Sequence, residues 1–314
     1  MLDTIIIGGG PAGTSAALTL GRAHRTVLLA DSGQGRNAPA EAVHNFITHD
    51  GTPPERLREQ GAENLSHYPT VERRATEVSS VRRVGEDHFE VGLADGGTAE
   101  ARRLLLATGL RDELPDLPGT AELWGRSAFH CPYCHGYEAS DSRIAVLGAG
   151  PERVRLALHL SRFTDTMALC TGGEPLDPMM QIVLEANRIA VHTKAAVRLE
   201  GAGDRLRRIV FEDGTSLERD AVFIKTTLRQ RAPFAEQLGC VLFPDACVEV
   251  NEFGQTSVPG VYAAGDMARR ATVPVPLAAV VAAAASGTVA GTVIDQDLVS
   301  VDFKLPNPFA PGRA

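Results

Sequence analysis

No stretch of the 314-residue chain carries a long run of one charge sign. Acidic and basic residues are interspersed and the net charge is −8. That pattern excludes the basic face of a nucleic-acid binder and the polybasic patch of a membrane-surface protein. Lysine is nearly absent, with three residues in a combined Lys and Arg count of 31. The arginine bias reflects a GC-rich genome and says little about function. Cysteine is sparse and odd in number, five in all. The opening "MLDTIIIGGG" has neither a basic start nor a small-residue cleavage site, so a secreted disulfide framework is not expected and the chain reads as cytoplasmic. Cys170, Cys240 and Cys247 lie in apolar contexts and read as core residues. Leu- or Phe-rich runs are missing too. The one uncharged stretch of spanning length, residues 277–294, is mostly Ala with Gly, Ser and Thr. It reads as a buried helix of a soluble protein rather than a membrane span.

What is present is a strand–helix alternation. "TIIIGG" reads as a buried strand, "PAGTSAALTLGRA" as a helix with small residues on one face, and "TVLLAD" as a second strand. That order implies a parallel sheet. "HFEVGLADGGTAEARRLLLATG" reads as a hairpin turning at "ADGG". At residue 143 the opening pattern restarts with "RIAVLGAGPERVRLALHLSRFTDTMALCT". An offset of 140 aligns the two units without a gap, which makes this an internal repeat of a nucleotide-binding unit. The predicted fold class is therefore α/β: two Rossmann-like dinucleotide-binding domains, three-layered, with a small β-meander. The predicted domains are residues 1–115 and 232–314, one split dinucleotide-binding domain, and 116–231, an inserted NAD(P)H-domain-like unit that carries Cys131 and Cys134. "LPDLPGT" (114–120) reads as the outgoing linker and "TTLRQRAPF" (226–234) as the return. "TSVPGVYAAGDM" then rejoins the first domain as a further strand.

Gly8, Gly10 and Gly13 form G-x-G-x-x-G between a strand and a helix. The first glycine makes a tight turn, the second lets a pyrophosphate approach, and the third lets helix and strand pack closely. The helix N-terminus favours the phosphates. Asp31 ends the second strand, where a carboxylate can accept from a ribose hydroxyl. "GVYAAGD", ending in Gly265 and Asp266, and "LLLATG" (104–109) accompany this motif in two-dinucleotide flavoproteins. The three segments together point to FAD rather than NAD. In the second unit Gly148 and Gly150 remain, but Arg153 stands at the third position and Thr171 matches Asp31. Each missing charge-assisted hydrogen bond weakens binding by roughly 1.5–3 kcal/mol, so this nicotinamide site reads as damaged.

"HCPYCHG" (130–136) holds Cys131 and Cys134 between His130 and His135. Zinc wants four ligands, and no second CxxC or HxxxH is present, so no metal is expected. A structural staple does not suit a cytoplasmic chain. Thiol–disulfide exchange suits the pair, with the flanking histidines able to move protons.

With "IIIGGGPAG", "HNFITHDG", "LLLATG", "CPYCHG" and "TSVPGVYAAGD" in this order, the whole chain resembles the low-molecular-weight thioredoxin reductase family. The resemblance implies a homodimer with FAD lined by Gly8, Gly10, Pro11, Ala12, Gly13, Asp31, Ser32, Gln34, Arg36, Asn45, Val78, Thr108, Gly109, Gly265 and Asp266. It implies Cys134 as the flavin-facing cysteine and Cys131 as the one that meets substrate. The departures matter. His135 replaces an acidic residue, "TGGEP" replaces an arginine-rich stretch, and "TVPVPLAAVV" replaces an Arg-Gln pair. These features are similar to the dithiol oxidase branch of gliotoxin and holomycin type. That branch implies an enzyme that closes a disulfide in a small-molecule natural-product dithiol, with O2 reduced to H2O2 and His135 as acid–base group. It also implies that the N-terminus of the 277–294 helix faces the flavin pyrimidine. The alternative is a thioredoxin-reductase-type disulfide reductase fed by NADPH or another donor.

Overall fold

The computed structural model describes residues 1–310. The chain divides into two units, residues 1–38, 54–111 and 228–314 in one, and 39–53 and 112–227 in the other. The last four residues of the Pro-rich end, 311–314, lie outside the described residues.

The first unit is built on a seven-stranded sheet. Strands Val71–Arg74, Val27–Ala30, Leu2–Ile7 and Thr98–Leu106 run parallel in that order. The long strand Thr98–Leu106 then serves two partners on its far edge. Its C-terminal half pairs in parallel with Val261–Ala263, the returning strand expected from "GVYAAGD". Its N-terminal half pairs antiparallel with His88–Leu93, which pairs with Val78–Gly85. Side chains alternate between two buried faces. Ile5, Ile7, Leu28, Ala30, Leu104 and Leu106 enter one core, and Ile6, Val27, Leu29 and Leu105 the other. Burial on both faces explains why these strands read as unbroken apolar runs.

Helix Pro11–Arg22 covers one face, burying Ala12, Ala16, Ala17 and Leu20. Beside it lies helix Val280–Asp302. Here the expectation of a buried helix over 277–294 is corrected. The helix begins at Val280, Leu277 is exposed, and only a stripe through Ala283, Gly287, Ala290, Gly291, Ile294 and Leu298 is buried. Val281, Val289 and Val301 are exposed on the same helix. Small residues set the stripe, because a Cβ at Gly287 would stand 2.0 Å from the Ala12 carbonyl oxygen. No helix among the described residues is long and apolar enough to cross a membrane.

The second unit has a five-stranded parallel sheet in the order Ala190–His192, Ala168–Cys170, Ile144–Leu147, Ala221–Phe223, Ala128–Phe129. Helices Pro151–Leu160 and Pro178–Ala186 pack on one face through Val154, Ala157, Leu160 and Leu184. An antiparallel meander, Ala196–Ala202, Arg205–Phe211 and Ser216–Glu218, packs on the other through Leu199, Ile209 and Phe211. Three layers result: helices, sheet and meander. "HCPYCHG" follows the edge strand Ala128–Phe129 directly.

Candidate active site

In the first unit the loop from strand Leu2–Ile7 into helix Pro11–Arg22 is tight. Gly8 has φ +109, and a Cβ there would meet the Ala107 carbonyl oxygen at 2.3 Å. A Cβ at Gly13 would stand 1.8 Å from the Gly8 carbonyl oxygen, so helix and loop could not approach as they do. Around Gly10, by contrast, nothing lies within 4 Å of the equivalent point. The helix has Pro11 in its first turn and no side-chain cap among the described residues. Its first N–H groups are thus available to an anion, which is the cradle a pyrophosphate needs.

Asp31 sits at the end of Val27–Ala30, its carboxylate held by Arg58 at 2.9 Å. Arg58 was not singled out in the sequence, because only the fold brings helix Pro54–Ser66 against that strand end. Asp266 pairs with Arg36 at 3.1 Å. Thr108 donates its hydroxyl to the Met267 sulfur at 3.3 Å, next to Gly109 with φ +71. Ser32 and Gln34 are exposed beside Asp31, and Val78 is buried at the start of its strand. These residues, with Pro11, Ala12 and Gly265, share the first unit. They fit FAD: a phosphate cradle, a ribose acid and a second acid at the Gly265–Asp266 turn. Asn45 belongs to the segment 39–53, which groups with the second unit.

The matching loop of the second unit is closed from within. Gly148 turns with the same φ of +109 as Gly8. At the Gly13 position, however, the Arg153 side chain is buried and folds back. Its Nε donates to the Leu147 carbonyl at 2.9 Å and a terminal nitrogen to the Phe223 carbonyl at 2.8 Å. Those carbonyls end two neighbouring parallel strands, the edge where such sheets receive nucleotides. Glu152 folds over Gly150, with Oε2 2.5 Å from where a Cβ would stand. The Glu152 carboxylate thus lies beside the start of this helix, exposed and 3.6 Å from Lys225 Nζ, and adds negative charge where phosphates would approach. Thr171, in place of the ribose acid, is buried with its hydroxyl unpartnered among the described residues.

Cys131 and Cys134 form a disulfide with a Cα–Cα distance of 5.3 Å. Cys131 caps the short helix Pro132–His135 in extended geometry, and Pro132 suits its first position. His130 stacks on Trp124, ring centroids 5.4 Å apart. His135 stacks on Phe129 at 4.4 Å. Both His135 ring nitrogens are shut off from solvent and have no partner among the described residues. Burial, with smaller contributions from the nearby His130 and His44, pushes its imidazole down to about 4. Asn45 donates its side-chain amide to the Tyr133 carbonyl, inside the CxxC, at 2.5 Å. His44 lies between Asp50 and Glu138, at 3.5 and 3.4 Å. Sequence reasoning missed His44, although the quoted segment "HNFITHDG" contains it. The remaining cysteines, Cys170, Cys240 and Cys247, are buried and free. No group of three or more His, Cys, Asp or Glu placed to hold a metal occurs among the described residues.

Comparison with known proteins agrees with this geometry. The pyridine nucleotide-disulphide oxidoreductase model matches residues 2–287. Thioredoxin reductase tcpT of Claviceps purpurea is 34% identical over 277 residues, covering 85% of this chain and 86% of that protein. Thioredoxin reductase sirT of Leptosphaeria maculans is 33% identical over 320 residues, covering 96% of each. The crystal structure of HlmI superposes with a TM-score of 0.89 at 39% identity, over 96% of this chain and 94% of that one.

Proposed function

The chain belongs to the pyridine nucleotide-disulphide oxidoreductase family, and from that membership we propose that it is an FAD-dependent dithiol oxidase. As a member it is a flavin-dependent thiol–disulfide oxidoreductase with FAD as its cofactor. Substrate and direction are the proposal. It takes the substrate to be a small dithiol, the terminal acceptor to be O2, and the enzyme to be a cytoplasmic homodimer acting in natural-product biosynthesis.

The observation that carries the reading is the closed second nucleotide loop. Arg153 fills the packing position and the Glu152 carboxylate lies beside the helix N-terminus. A pyrophosphate would have to displace one and be repelled by the other. With no nicotinamide entry, electrons reach the protein from thiols, and the Cys131–Cys134 disulfide is where they enter.

The cysteine chemistry then runs as follows. A substrate thiolate attacks the Cys131 sulfur, the Cys131–Cys134 bond breaks, and Cys134 leaves as thiolate. The second substrate thiolate attacks the substrate sulfur of the mixed disulfide, and Cys131 leaves. The substrate departs as a cyclic disulfide, two electrons poorer, and the cysteine pair is reduced. Bound FAD supplies the acceptor through which that electron pair passes to O2, giving H2O2. Tyr133 and Tyr137, exposed on the turn that carries the cysteines, offer flat apolar faces to a small substrate. His135, with its imidazole lowered to about 4, is uncharged at neutral pH. In the acid–base role we assign it, it acts as a neutral imidazole, a weak base toward a thiol proton.

The names of tcpT and sirT favour a second reading, a reductase of thioredoxin-like proteins. Peroxide assay separates the two. In air, the oxidase produces H2O2 with a small dithiol and without NADPH, and Cys131→Ser abolishes it. Turnover that needs NADPH and a thioredoxin-like partner supports the reductase instead.

A further inference from the structure

The turn that carries the cysteine pair is a helix of only four residues, Pro132–His135. The carbonyls of a helix's last turn have no partner inside the helix. Here two bonds come from the turn itself. The Gly136 N–H donates to the Pro132 carbonyl at 2.8 Å, and the Cys134 N–H to the Cys131 carbonyl at 3.3 Å. The Tyr133 carbonyl, which lies between the two cysteines, is reached from another loop. The Asn45 side-chain amide donates to it at 2.5 Å.

Asn45 is placed for that bond by its own loop. Val43 and Thr52 bridge the loop's ends, the Val43 N–H donating to the Thr52 carbonyl at 2.8 Å. The Asp50 carboxylate accepts the Asn45 backbone N–H at 2.8 Å. Asn45 has φ +61, in the left-handed region that asparagine adopts more readily than most residues with a Cβ. Tyr133 is held a second time through its ring, which stands edge-on to His159 with centroids 5.1 Å apart. Segment 39–53 and the cysteine turn both belong to the second unit, so the tether lies within one compact body.

These contacts are made with the disulfide closed. When a dithiol opens the Cys131–Cys134 bond, the covalent restraint on the turn is lost and the hydrogen bonds are what still restrain it. A restrained turn gains less conformational entropy on opening, so closure is favoured. We propose that Asn45 is a positioning residue for the redox pair: its amide on the Tyr133 carbonyl holds the turn in the shape that joins the two sulfurs. It thereby sets how readily the pair closes after each turnover. The proposal rests on the redox reading of Cys131 and Cys134, whichever way the electrons run.

The test is a redox titration of FAD-loaded enzyme under argon, in dithiothreitol buffers of graded reduced-to-oxidised ratio. Two electrons and two protons pass from dithiothreitol to the cysteine pair, and dithiothreitol closes to its own cyclic disulfide. Acid quenching, alkylation and mass spectrometry of the peptide carrying Cys131 and Cys134 read the reduced fraction directly. Asn45→Gly permits the same backbone conformation and removes the donor. Asn45→Asp keeps the shape of the side chain and replaces the donor with an acceptor. Both are expected to be half-reduced at a reduced-to-oxidised ratio about threefold to fivefold below that of wild type, within the worth of one neutral hydrogen bond and equivalent to about 15–20 mV. FAD content, read from flavin absorbance, is expected to stay at the wild-type level. Midpoints within about 1.5-fold of wild type in both variants overturn the tether. Loss of FAD with such an unmoved midpoint assigns Asn45 to the flavin instead, and also overturns it. A shift in Asn45→Asp alone traces to its added charge and does the same. If the wild-type pair stays oxidised at every ratio, the redox reading itself fails and the positioning role falls with it.

Discussion

Arg153 donates through its guanidinium to the carbonyl oxygen of Phe223 at 2.8 Å, bridging two strand ends with its second bond to Leu147. In the internal repeat this position corresponds to Gly13, where the absence of a side chain lets helix and loop pack. The arginine thus replaces a ligand-binding device with an internal brace. Arg153→Ala is expected to lower stability by about 2–4 kcal/mol, since hydrogen bonds to a charged group are lost and two carbonyls are left unpaired. It is not expected to create NADPH binding, because Thr171 still stands where a ribose acid is needed and the Glu152 carboxylate stays beside the helix N-terminus. Thermal unfolding and NADPH fluorescence check both halves. Micromolar NADPH binding by the variant would contradict the account.

Gly287 governs the approach of the last helix to the first. A Cβ there would lie 2.0 Å from the Ala12 carbonyl oxygen, within the turn that begins the phosphate-binding helix. Gly287→Ala is expected to cost about 1–3 kcal/mol, as overpacking does. It should also yield protein with less bound FAD, read from the ratio of flavin to protein absorbance. Full FAD content would show that this contact does not position the cradle.

His135 gives a pH dependence with a definite sign. Its imidazole is lowered by burial to about 4, against 6.5 for an unperturbed histidine. The unfolded chain therefore binds a proton that the folded chain refuses. The stability this difference represents is complete above pH 6.5 and is lost as pH falls from 6.5 towards 4. It amounts to about 3 kcal/mol at most. His135→Phe is expected to flatten that part of the stability curve, measured by denaturant unfolding across the window. An unchanged slope would mean that the ring is not sealed in solution.

Arg103 is a buried cation fixed by Asp297 at 2.5 Å and Asp87 at 2.8 Å, and Tyr262 donates its hydroxyl to the same Asp297. Removing the partner should cost more than removing a surface pair. Asp297→Ala is expected to destabilise by about 1.5–3 kcal/mol, because the buried Arg103 keeps Asp87 but loses its Nε acceptor, and Tyr262 loses its own. Arg82→Ala, whose Glu90 partner sits on an exposed strand face, is expected to stay within about 1 kcal/mol. Urea unfolding of both variants measures the contrast.

Much of the fold was legible because it depends on local pattern. The two glycine loops, the turn at "ADGG" and the returning strand Val261–Ala263 follow from short motifs with steric reasons behind them. The last helix was only half legible. Its lack of charge suggested a buried helix, but small residues with Val293, Ile294 and Leu298 form the buried stripe, while Val281, Val289 and Val301 are exposed. His44 was hidden because its partner Glu138 is far away in sequence, and no composition signal tied residues 39–53 to the second unit. Glu152 over Gly150 was equally invisible, since a carboxylate in a helix's first turn is commonplace.

The central claim is that electrons enter through the cysteine pair and not through a nicotinamide. Rapid mixing of the oxidised enzyme with dithiothreitol, NADPH or NADH under argon tests it most directly, with flavin absorbance as the readout. The account predicts bleaching by the dithiol, no bleaching by either nicotinamide, and loss of the dithiol reaction in Cys131→Ser. Bleaching by NADPH as fast as by dithiol would contradict it.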